Sequence, residues 1–413
     1  MDELSFTFST LTPIWTGDAR RSCTRAQESG VIGSLRWWYE GIVRGMGGYA
    51  CDPTAAGESA CRLDVKKYQK GQAEGLRGGK LLAHAGLCPA CQFFGATGWR
   101  RRFRVELAGL EPRSLFFTAS QDVYQAAGNW LWRMFGAETT GGSRAGRGAD
   151  AKFTFGVKAL WGERAFIKIV PLGSDSGEIG ARLVFMLNTI SRYGAFGAKS
   201  QNGFGQVLFP EGFNEHLIEH GRRLVEDDVQ QAFDSAENWP EGGAADSLFN
   251  LRRLFSTTYL LGPIEDYRKG LRQIGKPDDI FRWQYDPCAF DIRFKSRQHN
   301  PNTKTGRDFG MRPWFRERWG KGAADRLFGQ SKARSDSERS AGRIHVSHLF
   351  KLPGNGEWRL KVWGCVPGDL CSDDGKPQDV GAVEREVSLF LKQKHMFPAN
   401  RVESMYSPEE VLR

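Results

Sequence analysis

Four cysteines and one glycine-rich loop are the parts of this sequence whose residue types and spacing could do chemistry. Cys51 and Cys61 precede Cys88-Pro-Ala-Cys91. A Cys-x-x-Cys turn lets two thiolates meet one tetrahedral ion, and the upstream pair would complete a closed structural zinc site, with His84 as a substitute ligand. The stretch between the pairs, RLDVKKYQKGQAEGLRGGKLLAHAGL, is glycine-rich and polar, so a metal clip would supply rigidity that its own apolar pattern lacks. Two other readings stay open: cysteines that bind nothing, and a thioredoxin-like dithiol, against which stands the lack of a βαβ pattern after CPAC. A catalytic metal is not expected, because no base accompanies the cluster.

The loop GAFGAKSQNGFGQV, residues 194–207, crowds glycines around Lys199, Ser200, Gln201 and Asn202. In P-loops and dinucleotide folds the glycines leave a strand and enter a helix, whose N-terminus faces the phosphates. Here a helix precedes and a strand follows. Ala198 also stands where the Walker pattern needs a glycine, which argues against a nucleotide pocket. What remains is Gly197-x5-Gly203-Phe-Gly205, either a backbone that a ligand can approach closely or a plain glycine-rich hairpin.

The chain has 413 residues, enough for two cores, and its 40% hydrophobic share can fill them. No long apolar run and no basic-then-apolar N-terminus is present, so the expectation is a cytoplasmic protein with no membrane partner. Lys and Arg exceed Asp and Glu by 58 to 48, a formal charge of +10 that favours an anionic partner. Arginines alternate with aromatics in RWWY, WRRRF and RPWFRERW, and such pairs hold phosphates and stack on unpaired bases. The alternative is tryptophans in the core and arginines on a solvated face.

These residues must be positioned by strands and helices of mixed order. Residues 4–11 alternate as a strand, and Val31, Leu35, Trp38, Tyr39, Ile42, Val43 and Met46 form a helical stripe with Arg36 off it. RRRFRVELAGL, RSLFFTAS, KFTFGVKAL, RAFIKIVPL and GQVLF read as strands, QDVYQAAGNWLWRMFG as a helix, and residues 178–193 and 211–234 as further helices. In the second half LFNLRRLFSTTYLLG is followed by a helix at IEDYRKGLRQIG and a strand at AFDIRFKS, then a basic aromatic tract over 297–343. RIHVSHLF and WRLKVWGCV form a hairpin around PGNGE, and VGAVEREVSLFLKQKH is the last helix. Without regular βαβ alternation this is an α+β chain. Its expected domains are 1–234, carrying the cysteine insertion at about 47–92 and the glycine loop at 194–205, then a linker at 235–247 and a second domain at 248–413. CQFFGATGWRRRFRV and ADRLFGQSKARSDSERSAGRIHV echo one another, as a duplication would.

GSLRWWYE, CPACQFFGATG, YGAFGAKSQNGFGQV, TPIWTGD and RLFGQSKARS with GRIHVSHLF together resemble the RAMP superfamily of CRISPR proteins, nearest to those that open the type III-B (Cmr) effector series. The resemblance implies paired ferredoxin-like, RRM-related domains at one end of an RNA-guided antiviral ribonucleoprotein. It implies as partners the 3′ region of the guide CRISPR RNA, the paired target RNA and other RAMP subunits. By motif, Gly197, Gly203 and Gly205 would be the RNA-facing glycines, with Ser200 beside them and Lys199, Gln201 and Asn202 in a loop where relatives often carry arginines, and Arg36 the arginine of the first helix. Arg20, Arg21, Arg25, Arg100, Arg101, Arg102, Arg334 and Arg343 are the expected basic contributors. No catalytic residue is expected, since none of the seven histidines lies beside the loop or the first helix. The competing reading is an endoribonuclease that processes precursor guide RNA.

Overall fold

Period-two and period-3.6 apolar patterns along the first half become an antiparallel sheet with helices packed on it. The computed structural model describes residues 4–17, 23–53, 60–120, 143–145, 152–173, 175–235, 248–262, 285–286, 289–293, 296–298, 307–329, 341–393, 397 and 399–412. Strand β1 (Leu4–Thr10) leads to helix α1 (Glu28–Gly45), whose Val31, Leu35, Trp38, Tyr39, Ile42 and Val43 are all buried, as the stripe requires. Three short helices follow, α2 (Val65–Ala73), α3 (Gly78–His84) and α4 (Pro89–Phe94). Then come β2 (Phe103–Ala108), β3 (Glu111–Ser120), β4 (Ser143–Ala145), β5 (Lys152–Trp161) and β6 (Ala165–Pro171). Helix α5 (Ser176–Tyr193), a 3-10 turn (Ser200–Asn202), β7 (Val207–Leu208) and α6 (Glu215–Ser235) complete the half.

The main sheet runs β2-β6-β1-β7, every pair antiparallel, so the first strand lies between the third and fourth of its own strand-helix-strand-strand-helix-strand series. Strands β3, β5 and β4 form a separate sheet, tied to the chain after β1 by a bridge between Ile14 and Leu160.

The second half contributes β8 (Leu254–Leu260), β9 (Tyr285–Asp286), α7 (Ala289–Arg293), β10 (Ser296–Gln298), β11 (Arg307–Phe309) and α8 (Met311–Phe328). After these come β12 (Ile344–Val346), β13 (Leu349–Phe350), β14 (Arg359–Cys365), α9 (Val380–Leu391), β15 (Arg401–Met405) and α10 (Pro408–Leu412). The sheet order β15-β8-β14-β13-β9, with β12 also on β14, repeats the arrangement of the first half. The expected hairpin around PGNGE is present as β12 and β13 against β14.

The echo noted in the sequence is structural. Helix α4 ends at Gly95 (φ 91°, ψ 157°) and α8 ends at Gly329 (φ 83°, ψ 157°), a backbone conformation closed to other residues. Each chain then returns so that the Arg102 amide donates to the Phe93 carbonyl, and the Arg343 amide to the Leu327 carbonyl.

Two expectations are corrected. AFDIRFKS is not a continuous strand: Ala289 and Ile292 are both buried, a spacing of three that suits helix α7, and strand β10 begins at Ser296. The helix over 380–391 is not the last element, because β15 pairs with β8 after it. The helices expected in QDVYQAAGNWLWRMFG and IEDYRKGLRQIG, and the linker beyond Ser235, lie outside the described residues. Among the described residues no helix is long and apolar enough to cross a membrane.

The halves share a core. Trp37 stacks on Phe249 with centroids 3.8 Å apart, Trp38 packs against Phe249 and Trp363, and Trp363 stacks on His345 at 3.8 Å.

Candidate functional site

The glycine loop leaves the end of α5 and runs back along the segment after β1. Its backbone is held by that segment and by α1. The Ala198 amide donates to the Trp15 carbonyl (2.8 Å), Gly205 to Pro13 (2.8 Å), Phe196 to Gly205 (2.8 Å) and Gly197 to the Ser34 hydroxyl (3.0 Å). Gly203 donates to Ser200 (3.1 Å). This corrects the expectation that the missing side chains bare amides for a ligand. A Cβ on Gly205 would lie 2.3 Å from the Phe196 carbonyl oxygen, and one on Gly203 would lie 2.6 Å from the His348 ring, so the close approach is of protein to protein. Asn202, Gly203 and Gly205 are buried; the arc left partly open is Gly197 to Gln201, with Ala198 exposed.

Lys199 turns that arc. It is the one non-glycine residue with positive φ (58°) among the described residues, and its ammonium sits 3.4 Å from the Trp15 ring centroid. The inner side of the loop is gripped by the second half. Ser200 Oγ lies 2.9 Å from His345 Nδ1, Arg293 Nη1 donates to the Gln201 carbonyl (2.8 Å), and the His348 amide donates to the Gly203 carbonyl (3.3 Å).

The second constellation is the cysteine cluster. The sulfurs of Cys51, Cys61, Cys88 and Cys91 all lie within 4.8 Å of one another, with Cys51 and Cys91 3.4 Å apart and Cys51 and Cys88 3.9 Å apart. A disulfide needs about 2.05 Å, whereas ligands about 2.3 Å from a tetrahedral ion stand roughly 3.8 Å apart. The donor set therefore fits a closed structural metal site. His84 is not part of it. Hydrogen bonds from Cys61, Cys88 and Cys91 hold the Cys51 thiol far below its ordinary value, while those with Cys51, Cys61 and Cys91 push Cys88 well above it. Four crowded sulfurs cannot all ionise without a cation.

Over residues 7–208 the sequence matches the profile of the RAMP superfamily. No curated protein matches the sequence. Among solved structures, the chain is similar to that of Cmr1 from Pyrococcus furiosus in its apo form, at 12% identity over 97% of this chain and 98% of that one, TM-score 0.38. It is also similar to a chain of the type III-B Cmr-beta complex bound to cognate target RNA, at 9% identity over 94% and 99%, TM-score 0.39.

The arginines expected to contribute to RNA binding divide into open and engaged. Arg25 and Arg100 are exposed. Arg101 donates from Nε to the Phe103 carbonyl (2.6 Å), and Arg102 pairs with Asp175. Arg343 is half-buried, and burial lowers its pKa. Arg20, Arg21 and Arg334 lie outside the described residues. Arg36 faces inward: Nε donates to Glu40 Oε1 (2.8 Å), Nη1 to the Gly95 carbonyl (2.8 Å) and Nη2 to Cys91 Sγ (3.1 Å). The residues missed in the sequence are those that hold the sites, among them Trp15, Ser34, Arg293 and Arg44. Only the i,i+4 ladder Arg36, Glu40, Arg44 was there to be read from spacing.

Against the expectation that no histidine lies beside the loop, the fold brings His345 and His348 onto it. His348 Nδ1 accepts from the Ala289 amide (3.3 Å), and burial takes its pKa down to about 3. Burial, then the Arg293 charge, lowers His345 well below its ordinary value.

Lys361, buried on β14, donates to the Ser191 carbonyl in the last turn of α5 (3.0 Å), and burial lowers its pKa to about 7. The unfolded chain holds that proton more tightly, so the cost of burying the charge is full below pH 7 and vanishes near pH ~10.4. The melting temperature of Lys361→Met, relative to the parent, should therefore be highest below pH 7 and decline steadily between pH 7 and 10. A difference that does not vary with pH would refute the buried ammonium.

Proposed function

We propose that this RAMP protein is a non-catalytic RNA-binding subunit of a type III-B CRISPR RNA-guided effector complex. It caps one end of the assembly and contacts the 3′ region of the guide RNA and the paired target RNA, beside other RAMP subunits. Both halves are read as ferredoxin-like domains, the strand order of each agreeing with that fold, and the four cysteines as ligands of structural zinc. The observation that carries the reading is the partly open arc Gly197–Gln201 within the span that matches the RAMP family, with Lys199 fixed at its turn. Lys199, Arg25 and Arg100 supply charge; the guanidinium forks suit phosphate oxygens and need no particular base. Non-catalytic action is supported by the burial of His345 and His348, which drives both imidazoles well below their ordinary pKa and so away from the range in which a general acid–base group works.

Single-stranded RNA of guide length should bind with an affinity that falls steeply with salt. The triple variant Lys199→Glu, Arg25→Glu, Arg100→Glu should lower the log–log salt slope by about 0.7 for each phosphate that is no longer neutralised. Crosslinked peptides should include residues 194–207. Binding that ignores salt and the triple variant, with crosslinks confined elsewhere, would remove this assignment.

A further inference from the structure

Arg36 lies on the first helix of a RAMP chain, where it was expected to meet RNA, yet its three donor groups are committed within the protein. Its fork ties α1 to α4 through three acceptors: Glu40 on its own helix, Cys91 in α4, and the Gly95 carbonyl that ends α4. Two turns further along α1, Arg44 is buried at 5% exposure and does the same for the other cysteine arm. Its Nε and Nη2 donate to the Ala50 carbonyl (3.2 and 2.9 Å), Nη2 also to the Cys51 carbonyl (2.9 Å), and Nη1 to the Phe249 carbonyl (3.1 Å). Glu40, also buried, stands between the two guanidinium groups, 2.8 Å from Arg36 and 3.7 Å from Arg44.

We infer that Arg36 and Arg44 form the outer shell of the four-cysteine metal centre, with Arg36 as the positioning residue that hydrogen-bonds a ligand sulfur and locks the centre to the Gly95 turn. The inference rests on the zinc reading above. A divalent ion held by four thiolates leaves two negative charges in a buried place, and uncompensated buried charge is costly. Two arginines supply opposite charge, of which the Glu40 carboxylate offsets one while it holds their forks apart and oriented. The N–H to sulfur bond withdraws electron density from Cys91 and fixes its rotamer, the part that outer-shell donors take at metal sites. A lysine at position 36 would keep the charge but lacks the planar fork that reaches three acceptors at once. Through Gly95, the same fork fixes where the chain departs toward Arg100, so the metal centre also aims an exposed cation of the proposed RNA surface.

The test uses the full chain with Arg36→Met, Arg36→Lys and Arg44→Met. Metal analysis of the parent protein should find one zinc per chain; finding none would sink the zinc reading itself, and this inference with it. With zinc present, competition against a chromogenic chelator should show a 10–100-fold loss of affinity in Arg36→Met, with Arg36→Lys in between. In the cobalt-substituted protein the sulfur-to-cobalt charge-transfer band should move to lower energy in Arg36→Met, because the thiolate regains the density its hydrogen bond withdrew. A merely structural arginine would change the melting temperature and leave that band in place. Zinc-loaded parent protein whose Arg36 variants keep both chelator affinity and band position would overturn the inference, as would Arg36→Met losing RNA affinity alone. Should Arg36→Met not fold, Arg36→Lys carries the same two readouts.

Discussion

Replacing Cys88 by serine should empty the four-sulfur pocket and open the segment from Cys51 to Gly95 to proteases, while the second-half sheet stays folded. Cys88 is fully buried, its carbonyl accepts the Gln92 amide at the start of α4, and its sulfur lies 3.9 Å from Cys51. The helices α2, α3 and α4 are nine, seven and six residues long, below the length at which a helix is stable alone. Apolar contacts through Leu81, Leu82, Leu87 and Phe93 remain after the substitution, but the metal-mediated link between Cys51 and α4 that the zinc reading requires would not. Loss of a structural metal belongs to the few changes that cost more than about 4 kcal/mol, and a chelator added to the parent protein should reproduce the effect. Limited proteolysis with mass mapping checks it. Equal protection of residues 51–95 with and without chelator would show that the segment folds without an ion.

Gly205→Ala should destabilise the protein by about 2–5 kcal/mol, combining the left-handed backbone penalty of ~1–2 kcal/mol with overpacking of ~1–3 kcal/mol. The backbone there has φ 90°, and the new Cβ would meet the Phe196 carbonyl oxygen at 2.3 Å. Gly47→Ala is the control: it has the same φ of 90° and nothing within 4 Å, so it should lose only the backbone part. Urea unfolding of the two variants separates the terms. If Gly205→Ala matched Gly47→Ala in stability and lost only RNA affinity, the glycine would be reserved for a ligand rather than for Phe196.

The elements with clear periodicity were legible. The stripe of α1, the stripe of α5 through Ile179, Leu183, Met186, Leu187, Ile190 and Tyr193, and the alternating strands β5 and β6 all lie where the pattern places them. AFDIR misled because a five-residue helix with one buried face carries too few positions to separate a spacing of two from one of three. The cysteine cluster was legible because metal geometry fixes ligand number and type independently of the intervening chain. The glycine loop was legible as a special backbone but not in its purpose. A glycine marks a close approach without saying of what, and here Trp15, Phe196 and His348 are the approaching groups. Arg36 was legible as a special arginine for the same reason, and its partner, Cys91, lies 55 residues away in the chain.

The grip of the second half on the loop has a consequence for how the molecule can be divided. The Gln201 and Gly203 carbonyls and the Ser200 hydroxyl are satisfied by Arg293, His348 and His345, all beyond residue 247. A truncated product ending near residue 240 would strip three partners from one face of the arc and uncover Trp37 and Trp38 where Phe249 and Trp363 had packed. The curvature of the arc is thus jointly owned, and neither half can be expected to hold it in isolation.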